Sequence, residues 1–197
     1  MQVLCVATSL ALCALSSANT QCRSDVLASI FDYDPDAWQL IDMSEQSFYL
    51  MFTSRDKLQN LKYRCVVTSK TERINNKKWQ RKLFYSALRN DTNETLSTTV
   101  GIKKRNKCHV YEDAITVWND KGGKEIPWTS EIVYADYKNC VLLKSKYLGY
   151  QVWVAKEYLE DYNEIPYLCV LLYEIHTGIA KYWIYDWETC AKKTSNE

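Results

Sequence analysis

Between Phe48 and Ala155 the chain alternates short runs rich in Val, Ile, Tyr, Trp and Thr with polar breaks. Eight such runs predict strands: Phe48–Thr53, Tyr63–Ser69, Lys78–Ser86, Thr95–Lys103, His109–Asn119, Glu131–Asp136, Cys140–Lys144 and Tyr150–Ala155. Short β-branched and aromatic runs bounded by turn residues are the pattern of an antiparallel all-β fold. Asp120-Lys121-Gly122-Gly123 is a hairpin signal, because its glycines supply the left-handed dihedrals of a tight turn. Tyr137-Lys138-Asn139 and Tyr147-Leu148-Gly149 suit further turns.

The period changes at both ends of this region. Asp34 reads as a helix cap with Pro35 at the first helical position, and Asp36-Ala37-Trp38-Gln39-Leu40-Ile41 continues the helix. Near the C-terminus, Glu164-Ile165-Pro166 opens a second helix. Its Leu168, Leu171, Leu172 and Ile175 recur three and four apart, and Gly178 stops it. The prediction is all-β with flanking helices: an eight-stranded antiparallel barrel with an N-terminal helix and a C-terminal helix packed on it. Eight strands enclose room for about one small ligand. A two-sheet sandwich fits the same strand count and competes with the barrel at this level.

The first residues set the compartment. Met1–Ala18 carries no charged side chain, has an apolar run from Val3 to Leu15, and ends in Ser16-Ser17-Ala18. That is the form of a secretory signal peptide (1–18), and it is shorter than the ~20 apolar residues a membrane span needs. Cleavage would leave residues 19–197 as a single extracellular domain with no membrane span. Lys and Arg (25) balance Asp and Glu (24), so no net field draws the chain to nucleic acid or an anionic membrane. The cluster Lys103-Lys104-Arg105 lacks interleaved aromatics and reads as a solvated loop. Six cysteines lie beyond the signal: Cys22, Cys65, Cys108, Cys140, Cys169 and Cys190. An even number in a secreted chain implies three disulfides. No C-x-x-C pair occurs and His109 and His176 stand apart, so no metal is expected. Two sequons, at Asn90 and Asn93, fall in a polar stretch, and at least one of them is expected to be glycosylated.

Reaction chemistry is not visible. Neither His109 nor His176 stands in the context that a Ser/His/Asp arrangement needs, and there is no phosphate-binding Gly-rich loop and no H-E-x-x-H. The adjacent carboxylates Glu112-Asp113 and Glu160-Asp161 suit exposed turns. A binding protein with no cofactor is therefore expected. Seven Trp and fifteen Tyr exceed what core packing alone would need and suit a cavity lining, where a ring can both pack and hydrogen-bond.

The order of Asp36-Ala37-Trp38, the strands, Cys140-Val141-Leu142, Gln151-Val152-Trp153, Ile165-Pro166-Tyr167-Leu168-Cys169 and Cys190 resembles the tick salivary lipocalins, the histamine-binding protein family. The resemblance covers essentially all of residues 19–197. It implies that Trp38 plugs one end of the barrel. It also implies disulfides Cys65–Cys190 and Cys140–Cys169, which leaves Cys22 and Cys108 to each other. Members of the family sequester host molecules during feeding, and the amine binders hold the ligand's cation with buried carboxylates between aromatic rings.

This chain departs from that pattern. The Asp expected after the first motif cysteine is Val141, and the Glu of the Glu-Leu-Trp motif is Gln151. A further expected carboxylate falls on Thr99 and two expected aromatics fall on Ile115 and Val117. Trp153 matches, and Glu131 stands where an acid is expected. A one-residue slip on the strands of Thr99, Ile115 and Val117 would exchange their faces. Thr99, Ile115, Val117, Glu131, Val141, Gln151 and Trp153 are thus the expected lumen, with less negative charge and more aliphatic surface than an amine trap. A neutral hydrophobic ligand follows: a sterol, fatty acid or eicosanoid. Two alternatives stay open. One is a biogenic amine (histamine or serotonin) held by Glu131 or Asp56; the other is a filled barrel whose surface engages a host immune protein or cell. A monomer is expected.

Overall fold

The computed structural model describes residues 33–42, 46–76, 78–87, 92–105, 110–119 and 127–191. Residues 1–18, expected to be a signal peptide, Cys22, Cys108, His109, Asn90 and residues 120–123, expected to form a hairpin turn, lie outside the described residues.

The strands are β1 (Phe48–Thr53), β2 (Tyr63–Asn75), β3 (Lys78–Ala87), β4 (Thr92–Lys103), β5 (Ala114–Asn119), β6 (Trp128–Ala135), β7 (Cys140–Ser145) and β8 (Gly149–Ala155). Strands β2 to β8 are joined antiparallel in chain order. The ring closes because β1 pairs with both β8 (Phe48↔Ala155) and β2 (Phe48↔Thr68). A short β9 (Tyr182–Trp183) adds to the outer end of β1. Closure joins all eight strands in one ring and decides for the barrel against the sandwich.

The fifth strand is shorter than expected, and its missing part has another role. Val110 N donates to Asp34 Oδ2 at 2.8 Å, and Ala37 N donates to Glu112 O at 2.7 Å. Residues 110–113 are therefore spent on latching the N-terminal segment to the barrel. Asp34 is bound there and does not cap the helix α1 (Ala37–Asp42). Asp36 does, its Oδ1 accepting from Trp38 N (2.9 Å) and Gln39 N (3.2 Å).

Helix α1 closes one end of the barrel. Ala37, Leu40 and Ile41 share its buried face and pack on Phe48, Val141, Ala155, Trp79 and Val100. Trp38 lies on the other face: 36% exposed, it stands edge-to-face on Trp79 at 5.1 Å. The plug expected of Trp38 is supplied by Leu40 and Ile41.

Helices α2 (Lys57–Asn60) and α3 (Lys156–Tyr162) have no side-chain cap and bury at most one residue, Leu159, so neither carries a helical pattern in sequence. Helix α4 (Tyr167–Thr177) runs to Gly178, whose φ of 73° ends it, and packs on β7 and β8. Its buried stripe is Cys169, Leu172 and Tyr173, while Ile175 is 64% exposed. The stripe is turned from the expected Leu168–Ile175 line because Cys169 is bonded to Cys140 on β7. A second bond joins Cys65 on β2 to Cys190. Cys65 sits at φ 51° in an irregularity between Arg64 and Val67, which shifts the strand's phase.

Candidate functional site

The barrel encloses a cavity of about 490 Å3. Its lining follows the two-residue period of each strand: Leu96, Thr98 and Val100 on β4, Ile115 and Val117 on β5, Val141, Leu143 and Ser145 on β7. On β2 the Cys65 irregularity breaks the period, so that Tyr63 and Val66 both face inward. Leu40 and Ile41 floor the cavity at the α1 end. At the opposite end the lining is Leu58 of α2, Leu61 just after that helix, and Tyr147 and Leu148 of the β7–β8 turn. Leu61, Trp128 and Tyr147 are each 42% exposed or more, which makes this end the mouth. Tyr63 and Tyr85 meet edge-to-face there at 4.7 Å.

The polar groups in this lining are few. Arg81 Nη2 donates to Thr68 Oγ1 (2.9 Å) and to Gln46 O (3.1 Å), and loss of hydration pulls its pKa down to about 10, so it stays charged at neutral pH. Across the cavity Trp153 Nε1 donates to Gln151 Oε1 (3.3 Å) and Gln151 Nε2 donates to Ser145 Oγ (3.0 Å). Tyr85 OH donates to Glu94 Oε2 at 2.8 Å beside the mouth. Burial first, then this carboxylate, pushes the Tyr85 hydroxyl up to about 12. Among the described residues no Asp or Glu lines the cavity. The same residues contain no helix long and apolar enough to cross a membrane and no cluster able to hold a metal ion.

A family model described as tick histamine binding protein matches residues 31–192. The chain belongs to that family. Its fold is the lipocalin barrel. A solved structure of AM182 in complex with serotonin superposes with a TM-score of 0.54 at 16% identity, covering 78% of this chain and 92% of that one. The major allergen Per a 4 from cockroaches superposes with a TM-score of 0.49 at 12% identity, covering 80% and 91%. At such identities the likeness is one of fold. No curated protein sequence matches the chain significantly.

Of the positions that the tick-family resemblance marks as lumen, Ile115, Val117, Val141, Gln151 and Trp153 line the cavity. Thr99 and Glu131 do not. On β4 it is Thr98 and Val100 that face inward, so Thr99 points out, and on β6 Ser130 faces inward beside Glu131. Glu131 lies outside the barrel in an ion pair with Arg105 at 2.5 Å. Asp56, the other acid weighed for an amine, accepts from Asn60 Nδ2 (2.9 Å) on α2 and is not in the lining. The residues that sequence reading missed are Arg81, Ser130, Ser145 and the mouth aromatics Tyr63, Tyr85, Trp128 and Tyr147. Counting by twos from Val141 would have found Ser145. Asn93 lies exposed within β4, not in a loop, and its Oδ1 accepts from Ser86 Oγ at 2.9 Å.

Proposed function

We propose that this lipocalin, with residues 19–197 as its secreted domain, sequesters a small hydrophobic host molecule in its barrel and so modulates host defence. The candidates are a sterol, a fatty acid or an eicosanoid. One observation carries the reading: the cavity is walled mostly by aliphatic and aromatic side chains with no carboxylate among the described lining residues. A cation moved into such a space loses its hydration without a paired charge, whereas an apolar body gains ~25 cal/mol per Å2 removed from water. Ile115, Val117, Val141 and Trp153 would contact the ligand. The chain acts by binding, without catalysis or cofactor, as a monomer glycosylated at Asn90 or Asn93.

Organic extraction of protein secreted from lipid-replete cells, followed by mass spectrometry, tests this. A lipid in near-equimolar amount is expected; repeated absence of any bound lipid sinks the reading. A second reading, amine capture, draws on the family's description and on the serotonin bound by AM182. Glu94, hydrogen-bonded to Tyr85 at the mouth, is the carboxylate it would use. Calorimetry with histamine and serotonin separates the two: stoichiometric heat lost in Glu94→Gln would favour the amine.

A further inference from the structure

We infer that Ser130 and Ser145 form a docking point for an uncharged hydroxyl or carbonyl group on the ligand, an inference that rests on the hydrophobic-ligand reading above. The ligand class narrows accordingly to hydrophobic alcohols and ketones, with the oxygen directed at the β6–β7 wall.

Ser130 and Ser145 are Cα partners across β6 and β7, and both face the cavity. Directly opposed residues on one face of an antiparallel pair bring their side chains within contact of each other. Ile115 flanks Ser130 on β5, and Gly149, with no side chain, flanks Ser145 on β8. The two hydroxyls thus stand side by side on the wall, with Ile115 on one flank and the Gly149 backbone, packed against Ser54 and Arg55, on the other.

Proton direction at this point is set by a chain of bonds. An indole N–H only donates, so Trp153 Nε1 fixes Gln151 with its oxygen toward the ring and its amide nitrogen toward Ser145. Ser145 Oγ then accepts from Gln151 Nε2 and also from Leu148 N at 3.1 Å. Both of its lone pairs are engaged, which leaves its own proton to be donated. Among the described residues Ser130 Oγ has no hydrogen-bond partner, though Ser130 is only 7% exposed. Ser145 is therefore a preset donor, polarised by the bonds behind it, and Ser130 is free to accept or to donate. An alcohol oxygen satisfies both, accepting from Ser145 and donating to Ser130. A ketone oxygen accepts from both. Among the described residues the one cation in the lining, Arg81, is on the β3 wall at Thr68, so these residues supply no positive charge to a carboxylate at the serine pair.

The test is displacement of the neutral apolar dye N-phenyl-1-naphthylamine from the full-length secreted protein by 1-dodecanol, dodecane and dodecanoate. Water-to-hydrocarbon transfer alone favours dodecane over the alcohol, so a preference for the alcohol reports hydrogen bonds. Dodecanol is expected to bind at least tenfold more tightly than dodecane, and Ser130→Ala to remove most of that preference. Among the described residues Ser130 holds no hydrogen bond, so this variant keeps the test cleaner than Ser145→Ala, which disturbs Leu148 and Gln151. Dodecane equal to or tighter than dodecanol overturns the docking point and leaves the hydrophobic-ligand reading standing. Dodecanoate tighter than dodecanol, with the difference lost in Arg81→Gln, also overturns it and moves the head group to the β3 wall. No uptake of dye or of any of the three compounds overturns the hydrophobic-ligand reading itself.

Discussion

The two ends of the barrel are built from different materials. At the α1 end, Leu40 and Ile41 are almost wholly buried on Trp79, Val100 and Val141, and the helix is held by the Asp36 cap and by Ala37 N on Glu112 O. At the mouth, α2 is a single turn without a side-chain cap, and Leu61 and Tyr147 are half exposed. One wall of strands serves both. The difference teaches that closure for stability and opening for entry are divided along the barrel axis, so changes at the two ends should register in different measurements.

A bridge stands near each end, and removing them is the largest test of that division. Cys65–Cys190 spans 125 residues on the mouth side and Cys140–Cys169 spans 29 beside Val141. Loop-closure entropy assigns them about 5 and about 3.5 kcal/mol. Urea unfolding of Cys65→Ser/Cys190→Ser and of Cys140→Ser/Cys169→Ser should rank in that order. The reverse order would show that anchoring α4 at the closed end outweighs chain entropy.

The next effect is smaller and separates the ends directly. Leu40→Ala should cost about 2–4 kcal/mol of stability, as buried leucines do. Leu61→Ala, 50% exposed at the mouth, should cost under about 1 kcal/mol yet speed release of a preloaded apolar dye. Equal release rates in the two variants would remove α2 from the entry path.

The smallest effect is a titration. Tyr85 is held protonated by burial and by Glu94 to about 12, against an ordinary value of 10.0. A raised folded-state value adds stability fully present below pH 10, lost as pH climbs through 12. The tyrosinate absorbance missing from Tyr85→Phe should therefore appear late in an alkaline titration. Appearance near pH 10 would mean that water reaches the mouth freely.

The sequence made the barrel readable because its strands carry strong contrast between neighbouring side chains. Ile115 and Val117 alternate with Thr116, and Gln151 and Trp153 follow the family motif, so their inward phase is legible. Thr98-Thr99 on β4 and Thr129-Ser130-Glu131 on β6 offer no such contrast. Their phase is fixed by register with distant strands, which no local pattern records. The serine pair stayed hidden for the same reason: it exists only once β6 lies against β7. Helix α3 lacked both a cap and an apolar stripe, and the Asp36 cap was masked by an equally good Asp34 two residues earlier.

Strand β1 also bears on the order of assembly. All six of its residues are buried, and it is the seam between β2 and β8. It leaves the ribosome before any other strand, while its β8 partner is made last of the eight. The meander from β2 to β8 can zip hairpin by hairpin as it is synthesised, but the seam cannot be sewn until Ala155 has emerged. Until then the apolar inner face is an open sheet with two unpaired edges, the state most exposed to aggregation. A hydrophobic molecule present at that moment can be enclosed without passing the mouth, so on the hydrophobic-ligand proposal the cargo of a purified sample would depend on where the protein was made.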